Sequence, residues 1–450
     1  MQHNNDILYG LDDKPKVWQC ITAAVQHLMA CFIGIITPTL IIGNALELQT
    51  EIPYLISMAL MVSGVSTFIQ AKKFGPVGSG LIAVQGTSFT FIAALLAAGF
   101  MVKNNGGSKD DILAMLFGIC FWGAFVEIFL SQFIDKVKAI ITPLTTGIVI
   151  TTIGITLIKV GMTDLAGGFA YADFGSLPNL LLGLSVLIIV VVCNASKRPM
   201  LRLSAIFIGM FCGSMLAWYF GMLNFSAMLE LPLVSIPIPF KYGIAFQWEV
   251  FIPVALVYFL SAIETAGDLT ANSLFCRQPI SGPLYIKRIK GGILADGINS
   301  MLAAVFNNFP NTTFGQNNAV IQMTGVASRQ VAFYIAGLLV LLGLFPAIGA
   351  VMQLMPKSVL GGATLVMFAT IAVAGVKILT SEPIDQRKSL IIATSMGLGL
   401  GVMMVPDALK QLPPLANNIL SSSVTVAGFC AIVLSLLIPE KSTAKSDILL

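Results

Sequence analysis

Glu264 and Asp268 stand four residues apart in the run YFLSAIETAGDLTANSLF, so on a helix their carboxylates share one face, which Asn272 continues. Two carboxyl groups that close can share a proton, which suits a group that must take up and release H⁺. Asp296 and Glu127 also lie inside apolar runs, and Asp296 sits between Gly292 and Gly297, where helices can approach closely. A charge at the bilayer centre costs about 2.5–3.5 kcal/mol on insertion scales, so it persists where it is protonated, paired or facing a wet cavity. The competing reading for each acid is a hydrogen bond to backbone at a helix break. Function is favoured for Glu264, Asp268 and Asp296, and packing for Glu127. His27, about midway along the first apolar run, is balanced between a place near a substrate path and a packed, hydrogen-bonded histidine. Lys159 at the end of a run reads as a snorkelling side chain.

The run TTFGQNNAVIQMTG, residues 312–325, is dense in amides for membrane depth. A glutamine presents a donor and an acceptor side by side, which fits the alternating N–H and C=O groups of a nucleobase edge. A carboxylate such as that of Glu264 can accept from ring N–H groups, and an aromatic such as Phe89 can stack on a planar base. A half-helix starting near Gln316 would add backbone N–H groups aimed at a carbonyl.

The elements that must position these groups follow from composition. Of 450 residues, 56% are apolar and 10% charged, which excludes a soluble enzyme or a nucleic-acid binder. A net charge of +4 gives no single-sign field for a nucleic acid. Apolar spans are read near 17–40, 54–71, 78–100, 112–134, 139–158, 177–195, 203–222, 249–273, 291–306, 312–327, 330–354, 358–376, 389–405 and 413–438. The polar start, MQHNNDILYGLDDKPK, does not form a signal sequence and is expected to stay in place. Seven scattered cysteines without a CxxC pair read as packing residues, and two histidines make a His-rich metal site improbable. No cofactor or metal is expected. With loops assigned alternately from an inside N-terminus, 19 of the 25 Lys and Arg fall inside and six outside: Lys103, Lys109, Lys159, Lys241, Lys357 and Lys410. That asymmetry predicts both termini in the cytoplasm.

Two pairs of segments match at a separation of seven spans. Pro143 opens the fifth and Pro356 the twelfth, each running apolar to a glycine, Gly161 or Gly375. The third and tenth are both interrupted by polar residues and glycine. Seven is odd, so the halves would insert in opposite orientation, the pattern of inverted-repeat transporters with a site at broken helices near the midplane.

At this point the resemblance becomes specific. QNNAVIQMTG, from Gln316 to Gly325, resembles the signature Gln/Glu/Pro-Asn-x-Gly-x4-Thr-Arg/Lys/Gly of the nucleobase–ascorbate transporter family. GVASR, ETAGD, KGGILADG and the Gln26-His27 pair resemble that family's bacterial xanthine permeases. The resemblance spans nearly the whole chain, with one departure: Ala319 stands at the motif's glycine. It implies an all-α polytopic membrane protein with 14 transmembrane segments as two inverted sevens and a short strand in segments 3 and 10. A core domain would comprise 1–136 and 249–355, and a gate domain 137–248 and 356–450 with a cytoplasmic tail. It further implies H⁺ symport of a purine, a homodimer, and the bacterial cytoplasmic membrane. By position, Glu264 and Gln316 would hold the purine, with Phe89, Ser88 and Gly315 beside it. Asp268 and Asp296 would serve coupling or site architecture, and Asn317 and His27 would shape the pocket. Gln316 resembles the xanthine and urate members, since uracil permeases carry Glu there. Ser88 falls where other xanthine permeases have a larger polar residue, so urate as well as xanthine could fit.

Four other readings compete. A symporter of another nucleobase, such as guanine, hypoxanthine or uracil, would share every feature above. An anion exchanger of the same architecture gives no reason for the amide-rich tenth segment. An intramembrane aspartyl protease would use Asp268 and Asp296, but Thr265 breaks its Gly-x-Gly-Asp pattern and no Tyr precedes Asp296. A passive channel would not concentrate its solute.

Overall fold

The structure, a computed structural model, describes residues 7–133, 142–168, 173–223, 233–413, 416–417, 420 and 422–438. The expected domain boundary at 136/137, the start of the fifth span and the C-terminal tail lie outside the described residues. The fold is all-α and polytopic apart from two short strands. In chain order the helices are α1 (Val17–Ala45), α2 (Ile52–Lys72), α3 (Ile92–Asn104), α4 (Lys109–Gln132), α5 (Pro143–Leu165), α6 (Leu177–Asn194), α7 (Pro199–Leu203) and α8 (Ala205–Tyr219). They continue as α9 (Trp248–Phe275), α10 (Gly282–Val305), α11 (Gly315–Thr324), α12 (Arg329–Gly343), α13 (Pro346–Leu354), α14 (Lys357–Leu379), α15 (Gln386–Met404) and α16 (Ser423–Leu437). The strands are β1 (Gln85–Thr87) and β2 (Asn311–Thr313).

Local chemistry sets the helix starts. Ser108 Oγ accepts from the Asp111 N–H at 3.2 Å while Asp111 Oδ2 accepts from the Ser108 N–H at 2.8 Å, a reciprocal cap that begins α4. Pro143 occupies the first turn of α5, where its missing N–H is no loss, and Thr142 caps that helix.

Among the described residues, seven helices are long and apolar enough to cross a membrane, or eight if the pair α12–α13 counts as one span. Helix length alone therefore does not return the fourteen segments expected. α10 and α15 have the length without the apolarity, while α3, α8 and α16 are short. The eleventh segment, expected as one span over 330–354, bends by 76° between α12 and α13. Pro346 is the cause, because a proline disfavours helical backbone in the residue before it. The ninth segment begins earlier than expected, so Lys287, Arg288 and Lys290 lie on α10 and not in a loop.

The third and tenth segments are broken as expected. Gly78 and Gly80 take positive φ of 103° and 71°, the chain runs extended, and only at Ile92 does α3 begin. Gly325, at φ 67°, ends α11 after ten residues. Extended backbone at membrane depth persists only where protein satisfies it. β1 and β2 meet that need by pairing antiparallel, Gln85 with Thr313, Gly86 with Thr312 and Thr87 with Asn311. The ladder extends at both ends, Ser88 N–H to Pro310 O at 2.8 Å and Phe314 N–H to Val84 O at 2.9 Å. Thr67 accepts from the Gln85 N–H and Ser66 from Asn311 Nδ2, fastening the ribbon to α2.

Helix packing sorts into two groups. α2 lies on α12 and α13, and α4 on α9 and α10, whereas α5 runs along α14, α6 packs on α8 and α14, and α15 on α16. Gly297 shows how closely α10 and α4 approach: an added Cβ would lie 2.8 Å from Ile128 Cγ1 and 2.9 Å from its backbone nitrogen.

Candidate functional site

Both broken segments end against α9. Glu264, half-buried, accepts a hydrogen bond at 2.6 Å from Thr90 Oγ1 at the entrance to α3. One turn along the same face, Asp268 Oδ1 lies close against Gly315, the first residue of α11: a Cβ there would be 2.8 Å away. Phe89 is 9% exposed, stacked on Phe314 at 6.4 Å between ring centroids and edge-on to Phe368 of α14 at 5.6 Å. The structure thus gathers Glu264, Asp268, Thr90, Phe89, Phe314 and Gly315. Gln316 adjoins this group along the chain, is half-buried, and its side chain has no hydrogen-bond partner among the described residues. Ser88 is buried, and its hydroxyl accepts from the Thr90 N–H at 3.3 Å.

Asn317 of α11 meets His27 of α1. Asn317 Nδ2 donates to Ile82 O at 2.6 Å, which turns its Oδ1 to His27 Nδ1, also at 2.6 Å. His27 Nδ1 therefore carries the proton in this bond, and Nε2 is buried without a partner among the described residues. Asn318 and Asn272 complete this joint, Asn272 Nδ2 donating to Asn318 Oδ1 at 2.8 Å and Asn318 Nδ2 to Asp268 O at 3.0 Å. The side chain of Ala319, at the departure from the motif, lies outside the described residues.

Asp296 occupies a different position. Its fully buried carboxylate accepts from Gln70 Nε2 at 3.0 Å, from Thr265 Oγ1, and from the Thr313 N–H at 3.2 Å. It thereby joins α2, α9, α10 and β2, and a carboxylate so supplied with donors holds the strands in place. Glu127 is buried on α4 with neither oxygen hydrogen-bonded among the described residues.

Sequence reasoning did not single out Thr90, Phe314 or Phe368. Thr90 had a signal, a hydroxyl next to Phe89 at membrane depth, whereas Phe368 had none among so many apolar residues.

A cavity of about 1140 Å³ opens between the ends of α1 and α3 on one side and α5, α14, α15 and α16 on the other. Its charged lining is Glu47, Lys103, Lys109, Lys159, Asp164 and Lys357. Lys159 thus faces a cavity, and four of the six cations assigned outside by the loop count border it.

Paired broken helices, buried carboxylates and a cavity with charged groups between two helix groups define a polytopic membrane transporter rather than an enzyme. Residues 18–408 match the model of the permease family, and the chain belongs to that family. It is 46% identical over 443 residues to the xanthine permease XanP of Escherichia coli (strain K12), covering 97% of this chain and 96% of that protein. It is 43% identical over 439 residues to the xanthine permease XanQ of the same strain, covering 97% and 94%. The transmembrane domain of a cyanobacterium bicarbonate transporter, BicA, shares the fold with a TM-score of 0.57 at 15% identity, over 95% of this chain and 99% of that one.

Proposed function

We propose that the protein takes up xanthine, with urate as a second substrate, in symport with H⁺ across the bacterial cytoplasmic membrane. The observation that carries this reading is the meeting of both broken segments on α9. There Glu264 is fixed by Thr90 of one segment, and Asp268 lies against Gly315 of the other. Glu264 and Gln316 grip the edge of the purine, Phe89 covers its face, and Ser88 and Gly315 line the remainder. Asn317 and His27 set the position of α11, Asp296 that of the strands, and Asp268 serves coupling. The identity to XanP and XanQ supports xanthine, and the small side chain of Ser88 supports room for the additional oxygen of urate.

The chain folds as fourteen segments in two inverted sevens, with both termini cytoplasmic, and works as a homodimer. Antiparallel pairing of β1 with β2 and of α5 with α14, each helix opened by a proline, Pro143 or Pro356, supports the inversion. The core comprises α1–α4 and α9–α13, and the gate α5–α8 and α14–α16. α9 begins at Trp248, one residue before the expected boundary. In the cycle, the outward-facing site receives H⁺ and purine. Protonation removes the cost of a bare carboxylate, and the purine satisfies the remaining polar groups. The core then moves against the gate across contacts such as Phe89 with Phe368.

Uptake of radiolabelled xanthine into proteoliposomes tests this. Glu264→Gln and Gln316→Ala are each expected to abolish uptake with the protein still in the membrane. Unchanged uptake in Glu264→Gln overturns the assignment of the site, and bicarbonate uptake without xanthine uptake would favour an anion exchanger.

A further inference from the structure

On the opposite face from the large cavity, cations gather with little to neutralise them. Lys73 caps α2, Lys287 and Arg288 lie in the second turn of α10, and Arg329 begins α12. Gly80 lies among them: a Cβ there would be 3.6 Å from Lys73 Cδ and 3.9 Å from Arg329 Nη1. Burial, and then the charges of Lys287, Arg288 and Arg329, hold the Lys73 ammonium below its ordinary range. Asp12 is the acid paired here, 2.7 Å from Arg329 Nη2, and its side chain is 82% exposed.

Arg288 supplies the second observation. It is 8% exposed and donates through Nη2 to Gln278 Oε1 at 2.8 Å, yet its Nη1 is buried with no partner among the described residues. Arg329 Nε is likewise buried and unpartnered. A guanidinium holds its charge under all conditions, so a buried one with an idle N–H beside two other cations is costly unless an anion completes it. Guanidinium forks match phosphate oxygens, and lysine adds a point charge.

We propose that Lys73, Arg288 and Arg329 form a phosphate-binding site, separate from the purine site. The neighbouring surface favours a phospholipid headgroup as the source. Phe68 lies 6.0 Å from Phe74 and 5.3 Å from Phe333 between ring centroids, and Phe68 and Phe74 remain 38% and 50% exposed. An acyl chain can lie along these rings while its phosphate reaches the cations. Basic pockets between membrane helices on the cytoplasmic side bind acidic headgroups in this way. This inference needs only the membrane fold, so it stands or falls apart from xanthine transport.

The test uses purified protein in a phosphate-free maltoside detergent, with and without added phosphatidylglycerol, read by thermal unfolding and by native mass spectrometry of retained lipid. Phosphatidylglycerol is expected to raise the unfolding midpoint of the wild type and to remain bound. Lys73→Gln, at a half-exposed position, and Arg288→Gln are each expected to lower lipid retention about fivefold, the worth of one cation at a membrane surface. Lys73→Gln keeps the test decisive if Arg288→Gln fails to fold. Stabilisation by inorganic phosphate in the maltoside detergent without phosphatidylglycerol, lost in Lys73→Gln, supports the site and assigns a soluble phosphate as its ligand. Equal retention by Lys73→Gln and wild type, or no response of the wild type to either probe, overturns the site.

Discussion

Replacing Thr90 by valine removes one hydroxyl with almost no change of shape, so its effect isolates a single contact. In the structure that hydroxyl stands 2.6 Å from Glu264 Oε2 and is the hydrogen-bond partner of the carboxylate among the described residues. A hydrogen bond to a charged group contributes about 1.5–3 kcal/mol, and the lower end applies because Glu264 is half-buried. Loss of the contact also frees a side chain that binding must then fix, at a cost of up to about 1.5–2 kcal/mol for glutamate. The two partly overlap, so a total near 1.5–2 kcal/mol corresponds to a rise in xanthine Kd of about 10- to 30-fold. Scintillation proximity binding on purified protein reads this directly. Thr90→Ser restores the hydroxyl and is expected to stay within about threefold of wild type, less than 1 kcal/mol. A Kd in Thr90→Val within twofold of wild type, or an equal loss in Thr90→Ser, would refute the positioning of Glu264 by this contact.

Asp296→Asn places an amide N–H₂ where donors already converge, and Gln70 cannot turn without giving up its bonds to the Ser79 N–H and Gly292 O. The loss of one charge-assisted bond, about 1.5–3 kcal/mol, should lower the thermal unfolding midpoint of the solubilised protein; a midpoint equal to wild type contradicts the strand-holding role. Ser88→Asn fills space beside Phe89, so urate should compete less well against labelled xanthine while xanthine itself still binds; an unchanged urate ranking would free Ser88 of any part in selectivity. A protonophore should collapse xanthine accumulation in vesicles, whereas accumulation that survives it and requires Na⁺ would identify a different coupling ion.

The membrane setting was legible from composition, because so much apolar surface cannot be covered by so few polar groups. The two breaks were legible as well: Gly78-Ser79-Gly80 and Gln316-Asn317-Asn318 place flexible or polar groups at depths where lipid offers no hydrogen bonds. So was the face shared by Glu264 and Asp268, which helical periodicity alone dictates. Packing decided the partners. Thr90 and Glu264 are 174 residues apart in the chain, and Gln70 and Asp296 are 226 apart. No local rule selects such pairs among many buried hydroxyls and amides. Tertiary structure separated acids that look alike in sequence, giving Asp296 a full set of donors and leaving Asp268 against Gly315. It also gathered Lys103, Lys109, Lys159 and Lys357 around one cavity, since the place of a long side chain depends on which helices stand beside it.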